Sequence, residues 1–152
     1  MTDPAAALHA ALLERGETVG CAESLTGGQL AAGLSGTPGA SGTFRGGVVT
    51  YATELKRRLL GVTATDIISG ECAMQMAAGA RDLLDVDWAL STTGVAGPDL
   101  QEGQPAGTVY VGLAGRDSAR FVRLTLEGDR PAIRSGACSG ALDLLLAEVT
   151  RG

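Results

Sequence analysis

Short β-prone runs alternate with segments of helical spacing along this chain, and glycine-rich turns stand at many of the joins. This alternation is the tightest constraint on the fold, since strands followed by helices pack as an α/β layer structure. After Asp3-Pro4 the positions Ala5, Leu8, Leu12 and Leu13 keep helical spacing until Gly16, with Asp as N-cap and Pro in the first turn. A short strand from Thr18 to Ala22 follows, and Glu23 to Gly28 turns the chain into a second helix running through Leu34. The turn Gly36 to Gly42 leads to the β-prone run Val48-Val49-Thr50-Tyr51. Helices are predicted from Ala52 to Leu60, ended by Gly61, and from Asp66 to Leu84. Strands are expected at Trp88 to Thr93 and Thr108 to Ala114, separated by a long Gly/Pro loop of the kind that tends to be functional or mobile. Gly115-Arg116-Asp117 returns Phe121 to Leu126 as a hairpin partner, and Pro131 to Val149 closes the chain as a helix.

With 152 residues the sequence is read as one domain, residues 1–152, able to bury a core without disulfides. Its apolar stretches stop short of the ~20 residues that span a bilayer. The start, Met1 to Ala11, lacks the features of a signal peptide, so a cytoplasmic protein without membrane contact is expected. Cys21, Cys72 and Cys138 are an odd number with no CxxC pair, which points to buried reduced thiols, no metal site and no cofactor. A net charge of −5 argues against a nucleic-acid surface. Two basic spots remain, Lys56-Arg57-Arg58 and Arg130 with Arg134, either of which also reads as a solvated helix face.

Three glycine-rich turns, Thr26-Gly27-Gly28, Gly36 to Gly42 and Gly94 to Gly107, fall at strand or helix ends, where open α/β sheets hold ligands. A turn of this kind that opens a helix offers unpaired N–H groups to a phosphate or carboxylate, or is simply a tight turn capped by Ser24 or Thr26. No Walker loop or GxGxxG fingerprint is present. His9, the only histidine, lies in the first helix and is read as remote from every glycine-rich turn, which makes a Ser-His-Asp triad improbable. A lysine with a depressed pKa is the usual substitute base, and Lys56 is the only lysine in the chain. Arginine cannot take that role, because it keeps its proton.

Six blocks carry a family resemblance: Ala22 to Gly28, Phe44 to Tyr51, Lys56, Thr93 to Pro98, Pro105 to Val109, and Gly128-Asp129-Arg130. In order and spacing they resemble the CinA C-terminal family, which includes nicotinamide mononucleotide deamidases. The resemblance implies a three-layer α/β/α sandwich with a mixed sheet of about five strands, one of them antiparallel. It implies hydrolysis of the carboxamide of a pyridine mononucleotide to nicotinic acid mononucleotide and ammonia, as part of NAD recycling, and a homodimer. Ser41 falls on the serine expected as nucleophile, Lys56 on its base and Tyr51 on the tyrosine beside them. Substrate contacts are expected at Ser24, Thr26, Gly27, Gly28, Gly39, Gly94, Ala96, Gly97, Arg130 and Arg134, and the backbone near Gly39 to Gly42 or Gly94 to Gly97 would hold an oxyanion. Leu25 stands where the family has a cysteine, the stretch between Val62 and Ser69 is several residues short, and the nucleotide-hydrolase domain of longer relatives does not precede it, so a stand-alone deamidase is the expected form. The alternatives are a binding module that has lost its chemistry and an amidase for another small substrate.

Overall fold

The computed structural model describes residues 3–151. Its sheet has five strands in the order β2-β1-β3-β4-β5, formed by β1 (Val19–Glu23), β2 (Phe44–Val49), β3 (Trp88–Gly94), β4 (Thr108–Ala114) and β5 (Ala119–Thr125). β1 pairs in parallel with β2 and β3, while β4 runs antiparallel to both β3 and β5. One strand is thus reversed, as the resemblance implied. Helices α1 (Pro4–Arg15), α2 (Gln29–Ser35) and α5 (Arg130–Thr150) cover one face, and α3 (Thr53–Leu60) and α4 (Gly70–Leu84) cover the other.

Side chains that alternate along the strands explain the two cores. Val19, Cys21 and Leu90 join Leu8, Leu12, Leu30, Ile133 and Leu145 on the first face; Ala22 and Ala89 join Leu60, Met76 and Ala80 on the second. β1 is buried along its whole length, which fits a central parallel strand covered on both sides.

Several boundaries differ from the sequence expectation, most clearly those of β2 and α4. β2 begins at Phe44 and ends at Val49, so Thr50 and Tyr51 lie beyond it. The cause is close packing: a side chain at Gly47 would meet Cys21 Sγ at 2.7 Å, so a residue of poor strand propensity is required in mid-strand. α4 begins at Gly70 rather than Asp66, because the Ser69 hydroxyl caps Cys72 N at 3.1 Å and the Asp66 carboxylate caps Ile68 N at 2.9 Å. His9 is also not remote from the glycine-rich turns, since its Nδ1 lies 2.7 Å from Thr43 Oγ1 beside the single 3-10 turn Ala40–Gly42. The three cysteines are free and buried. Burial pushes the Cys72 thiol up to about 11 and the Cys138 thiol up to about 12, so neither is a thiolate near neutrality.

The turn between β1 and α2 is organised by Glu23. Its buried carboxylate accepts from Gly28 N at 3.1 Å, Leu30 N at 2.8 Å and Ala31 N at 2.9 Å, supplying the acceptors that the first turn of α2 lacks. Gly27 and Gly28 both have positive φ, 57° and 111°, so the reversal over the carboxylate is open to glycine and strained for other residues. Glu23→Gln keeps the shape but presents an amide N–H₂ to a backbone donor. It should cost about 2–3 kcal/mol of unfolding free energy in urea titration, and a loss below ~0.5 kcal/mol would contradict this role.

Candidate functional site

A narrow cavity opens at the carboxyl ends of β1 and β3, lined by Ser24, Leu25, Tyr51, Gly94, Ala96, Gln101 and Arg130. It lies outside the ends of parallel strands, where such sheets place ligands. Each wall follows from local structure. Ser24 is the first residue past β1, and its N–H is held by Thr92 O at 3.0 Å. Tyr51 follows β2. Gly94 ends β3, and Val95 continues the ladder through Thr108 O at 2.9 Å before the chain leaves at Ala96. Arg130 opens α5, behind the Asp129 cap.

Lys56 does not line this cavity but is tied to its Tyr51 wall. Its side chain is 1% exposed, and Nζ donates to Thr50 O at 2.7 Å and to Tyr51 O at 3.1 Å. Thr50 N in turn donates to Glu23 O at 2.8 Å, which ties the lysine's anchor to the strand end that carries Ser24. Desolvation by burial pulls the Lys56 ammonium below the ordinary lysine value, while Cys72 acts weakly in the opposite direction. Once it gives up a proton, Lys56 has two N–H groups to match these two carbonyls and one lone pair free to take a proton.

Arg130 donates from Nη1 to Gly97 O at 2.7 Å and from Nη2 to the Tyr51 hydroxyl at 3.0 Å, bridging two walls of the cavity. Tyr51 is 56% exposed and stands at the mouth. Arg134 is committed elsewhere: Nε donates to Leu25 O and Nη2 to Thr26 O, both at 3.0 Å. It pins the β1–α2 turn and does not line the cavity. Nor do the two other basic side chains of the first spot, since Arg57 is spent on the carbonyls of Val62 and Ala64 and Arg58 pairs with Glu54.

The structure therefore brings together Ser24, Tyr51, Lys56, Gly94, Ala96, Gly97 and Arg130, and separates others. Ser41 is in the 3-10 turn before β2, exposed, with Leu13 against Gly42 and His9 against Gly39. The six residues of β2, at about 3.3 Å each, put roughly 20 Å between that turn and Tyr51. Within one chain Ser41 and Gly39 thus lie at the far end of the sheet from Lys56, and the backbone of Gly39 to Gly42 cannot hold an oxyanion formed there. Thr26 Oγ1 is buried against Thr92 Oγ1 at 2.8 Å, and the Gly27-Gly28 turn wraps the Glu23 carboxylate instead of offering its donors to a ligand. Gln101 and Leu25 line the cavity without having been singled out as contacts. The short stretch before Ser69 is fastened near the same end, with Thr93 Oγ1 on Ile67 O at 2.6 Å and Gln104 Nε2 on Ile68 O at 2.8 Å.

A larger hollow of ≈330 Å³ lies at the opposite end, against Trp88, Arg81 and Arg116. Its arginines share it with Glu17, Asp87 and Asp117, and none of the residues singled out in the sequence reaches it.

Comparison with known proteins identifies the family of this fold. The family model of the CinA C-terminal domain matches residues 1–149. The chain belongs to the CinA C-terminal domain family. It is 49% identical over 139 residues to a CinA-like protein of Frankia casuarinae, covering 88% of this chain and 32% of that protein. A CinA-like protein of Citrifermentans bemidjiense is 45% identical over 140 residues, with 88% and 34% covered. The chain thus spans about a third of the length of these relatives. Among solved structures, a competence-damaged protein (CinA) superfamily member from Klebsiella pneumoniae superposes with a TM-score of 0.94 at 32% identity, covering 98% of this chain and 97% of that one. Among the described residues no helix is long and apolar enough to cross a membrane.

The buried amine makes a prediction for stability. A lysine whose pKa is lowered by folding is neutral in the native state while still protonated in the unfolded chain, at any pH between the two values. The unfolded state binds more protons in that window, so stability rises with pH from the native value up to about 10.4. In urea titrations across this range the wild type should gain stability relative to Lys56→Met, which should be the more stable protein at lower pH. Parallel curves for the two would contradict a depressed lysine.

Proposed function

We propose that the chain hydrolyses the carboxamide of a pyridine mononucleotide, releasing ammonia, with Ser24 as the attacking hydroxyl and Lys56 as the base. The observation that carries this reading is the buried Lys56, whose Nζ donates to the carbonyls of Thr50 and Tyr51 and whose pKa burial lowers. An amine so held is prepared to accept a proton and poorly prepared to do anything else.

Ser24 takes the role that the family resemblance implied for Ser41, because Ser24 lines the cavity and Ser41 lies at the other end of β2. Ser24 Oγ attacks the amide carbon as its proton passes to Lys56. The amide C–N bond then breaks, the nitrogen takes a proton and leaves as ammonia, and an acyl ester remains on Ser24. Water, deprotonated by the same amine, cleaves that ester to give nicotinic acid mononucleotide. Tyr51 can donate its own O–H to the departing nitrogen, because its oxygen already accepts from Arg130, and it recovers a proton from the Lys56 ammonium, which returns the lysine to the amine before water attacks. Among the described residues Arg130 is the only cation lining the cavity, and it is the natural partner of the substrate phosphate.

Incubation with nicotinamide mononucleotide should release ammonia without added metal. Ser24→Ala and Lys56→Ala should each lower kcat by about 10²–10⁴, whereas Ser41→Ala should retain near wild-type turnover. Activity should fall with decreasing pH, as the amine becomes protonated below its depressed pKa. No turnover by the wild type, or full turnover by Lys56→Ala, would refute the reading; thermal stabilisation by the nucleotide with no product would identify a binding module.

A further inference from the structure

We infer that the backbone N–H groups of Leu25 and Ala96 form the oxyanion pocket of this site, so that its preferred ligand is a tetrahedral oxyanion bonded to Ser24; the inference rests on the hydrolytic reading above. Buried backbone N–H groups are almost always paired. Leu25 is 4% exposed and Ala96 5%, yet among the described residues neither N–H donates to any protein oxygen. Both residues line the cavity together with Ser24. Two unpaired donors from two separate loops therefore meet at one hollow.

The surrounding hydrogen bonds fix their direction. The Ser24 carbonyl accepts from Gly27 N at 3.0 Å inside the turn. In a trans peptide the N–H of the following residue points the opposite way, which turns Leu25 N–H away from the interior of the turn. The bond from Gly27 N holds the Ser24–Leu25 peptide itself, and Arg134 Nε holds the next carbonyl, that of Leu25, at 3.0 Å, so the backbone is fastened on both sides of Leu25. On the other side, Val95 is locked into the ladder at both ends, with its N–H on Thr108 O at 2.9 Å and its carbonyl accepting from Gly107 N at 2.8 Å. Ala96 is the first residue released from pairing, and its position is set by that anchor. A serine on a turn from strand to helix, with one donor from the next residue and a second from a neighbouring loop, is an arrangement that stabilises acyl-transfer intermediates. It also gives Arg134 a purpose, since that side chain positions the Leu25 peptide without touching substrate.

Pyridine-3-boronic acid is the probe. The Ser24 oxygen bonds to trigonal boron while its proton passes to Lys56, giving an anionic tetrahedral boronate with no leaving group. In a titration of the ¹⁵N-labelled protein, the ¹¹B signal should move to the tetrahedral position, and the Leu25 and Ala96 amide protons should show the largest downfield shifts of the spectrum. Ser24→Ala should abolish both effects. A tetrahedral boronate that leaves those two amides unmoved overturns the oxyanion pocket while hydrolysis stands. Failure of boronate to bind a protein that does turn over the mononucleotide also overturns it, and a protein with neither property loses the hydrolytic reading as well. Ala96→Pro, which removes one donor, should lower kcat by about 10²–10³ with KM changed only a few-fold; should that variant not fold, the wild-type amide spectrum decides alone.

Discussion

The buried carboxylate of Glu23 is the constraint on which the rest of the site depends. A carboxylate at the end of a central strand, removed from water on both faces of the sheet, is costly unless its oxygens are satisfied. Here they are satisfied by three N–H groups at the start of α2. The chain must therefore reverse within five residues, and the reversal consists of Ser24, Leu25, Thr26 and two glycines with positive φ. Arg134 from α5 and the Thr26–Thr92 hydroxyl pair then hold the same turn from outside. Ser24 is displayed by a loop with almost no freedom, as a group that must meet an electrophile within a few tenths of an ångström needs to be.

The same carboxylate decides where charge is available. By occupying the positive end of α2 it removes that end as an anion site, and by holding the turn it leaves the carbonyls of Leu25 and Thr26 to occupy Arg134. Among the described residues Arg130 remains as the one cation lining the cavity. Lys56, enclosed by α3, α4 and the strand ends, has its pKa lowered by desolvation, not by a neighbouring positive charge. The proposed reaction thus draws on one fixed cation for a phosphate, one buried lysine for a proton and one hydroxyl for a bond, a sparse set in which the walls would contribute backbone donors where side chains are lacking.

Much of the fold was legible because its signals are local. The switch from strand to helix period marked the layers, Gly16 and Gly61 do cap α1 and α3 in the left-handed region, and β4 begins and ends where the apolar run does. The lone lysine was also legible, since its singularity in an arginine-rich chain is visible by inspection. What could not be read was which end of a strand a residue reaches. Ser41 and Tyr51 are ten positions apart and look adjacent in a linear motif, but a six-residue strand runs between them. Glu23 passed unnoticed for a different reason: an acid at the end of an apolar strand reads as its solvated terminus. A signal was nonetheless present, because α2 has no acidic residue in its first turn and no side-chain cap of its own, so its donors had to be satisfied from elsewhere.

The central claim is that the bond to substrate is made by the serine at the end of β1. Mass spectrometry of the acid-quenched reaction with nicotinamide mononucleotide tests it most directly, by fragmenting the tryptic peptide that runs from Gly16 to Arg45 and contains both Ser24 and Ser41. The account predicts a nicotinoyl mononucleotide ester on Ser24. The same ester on Ser41 would contradict it.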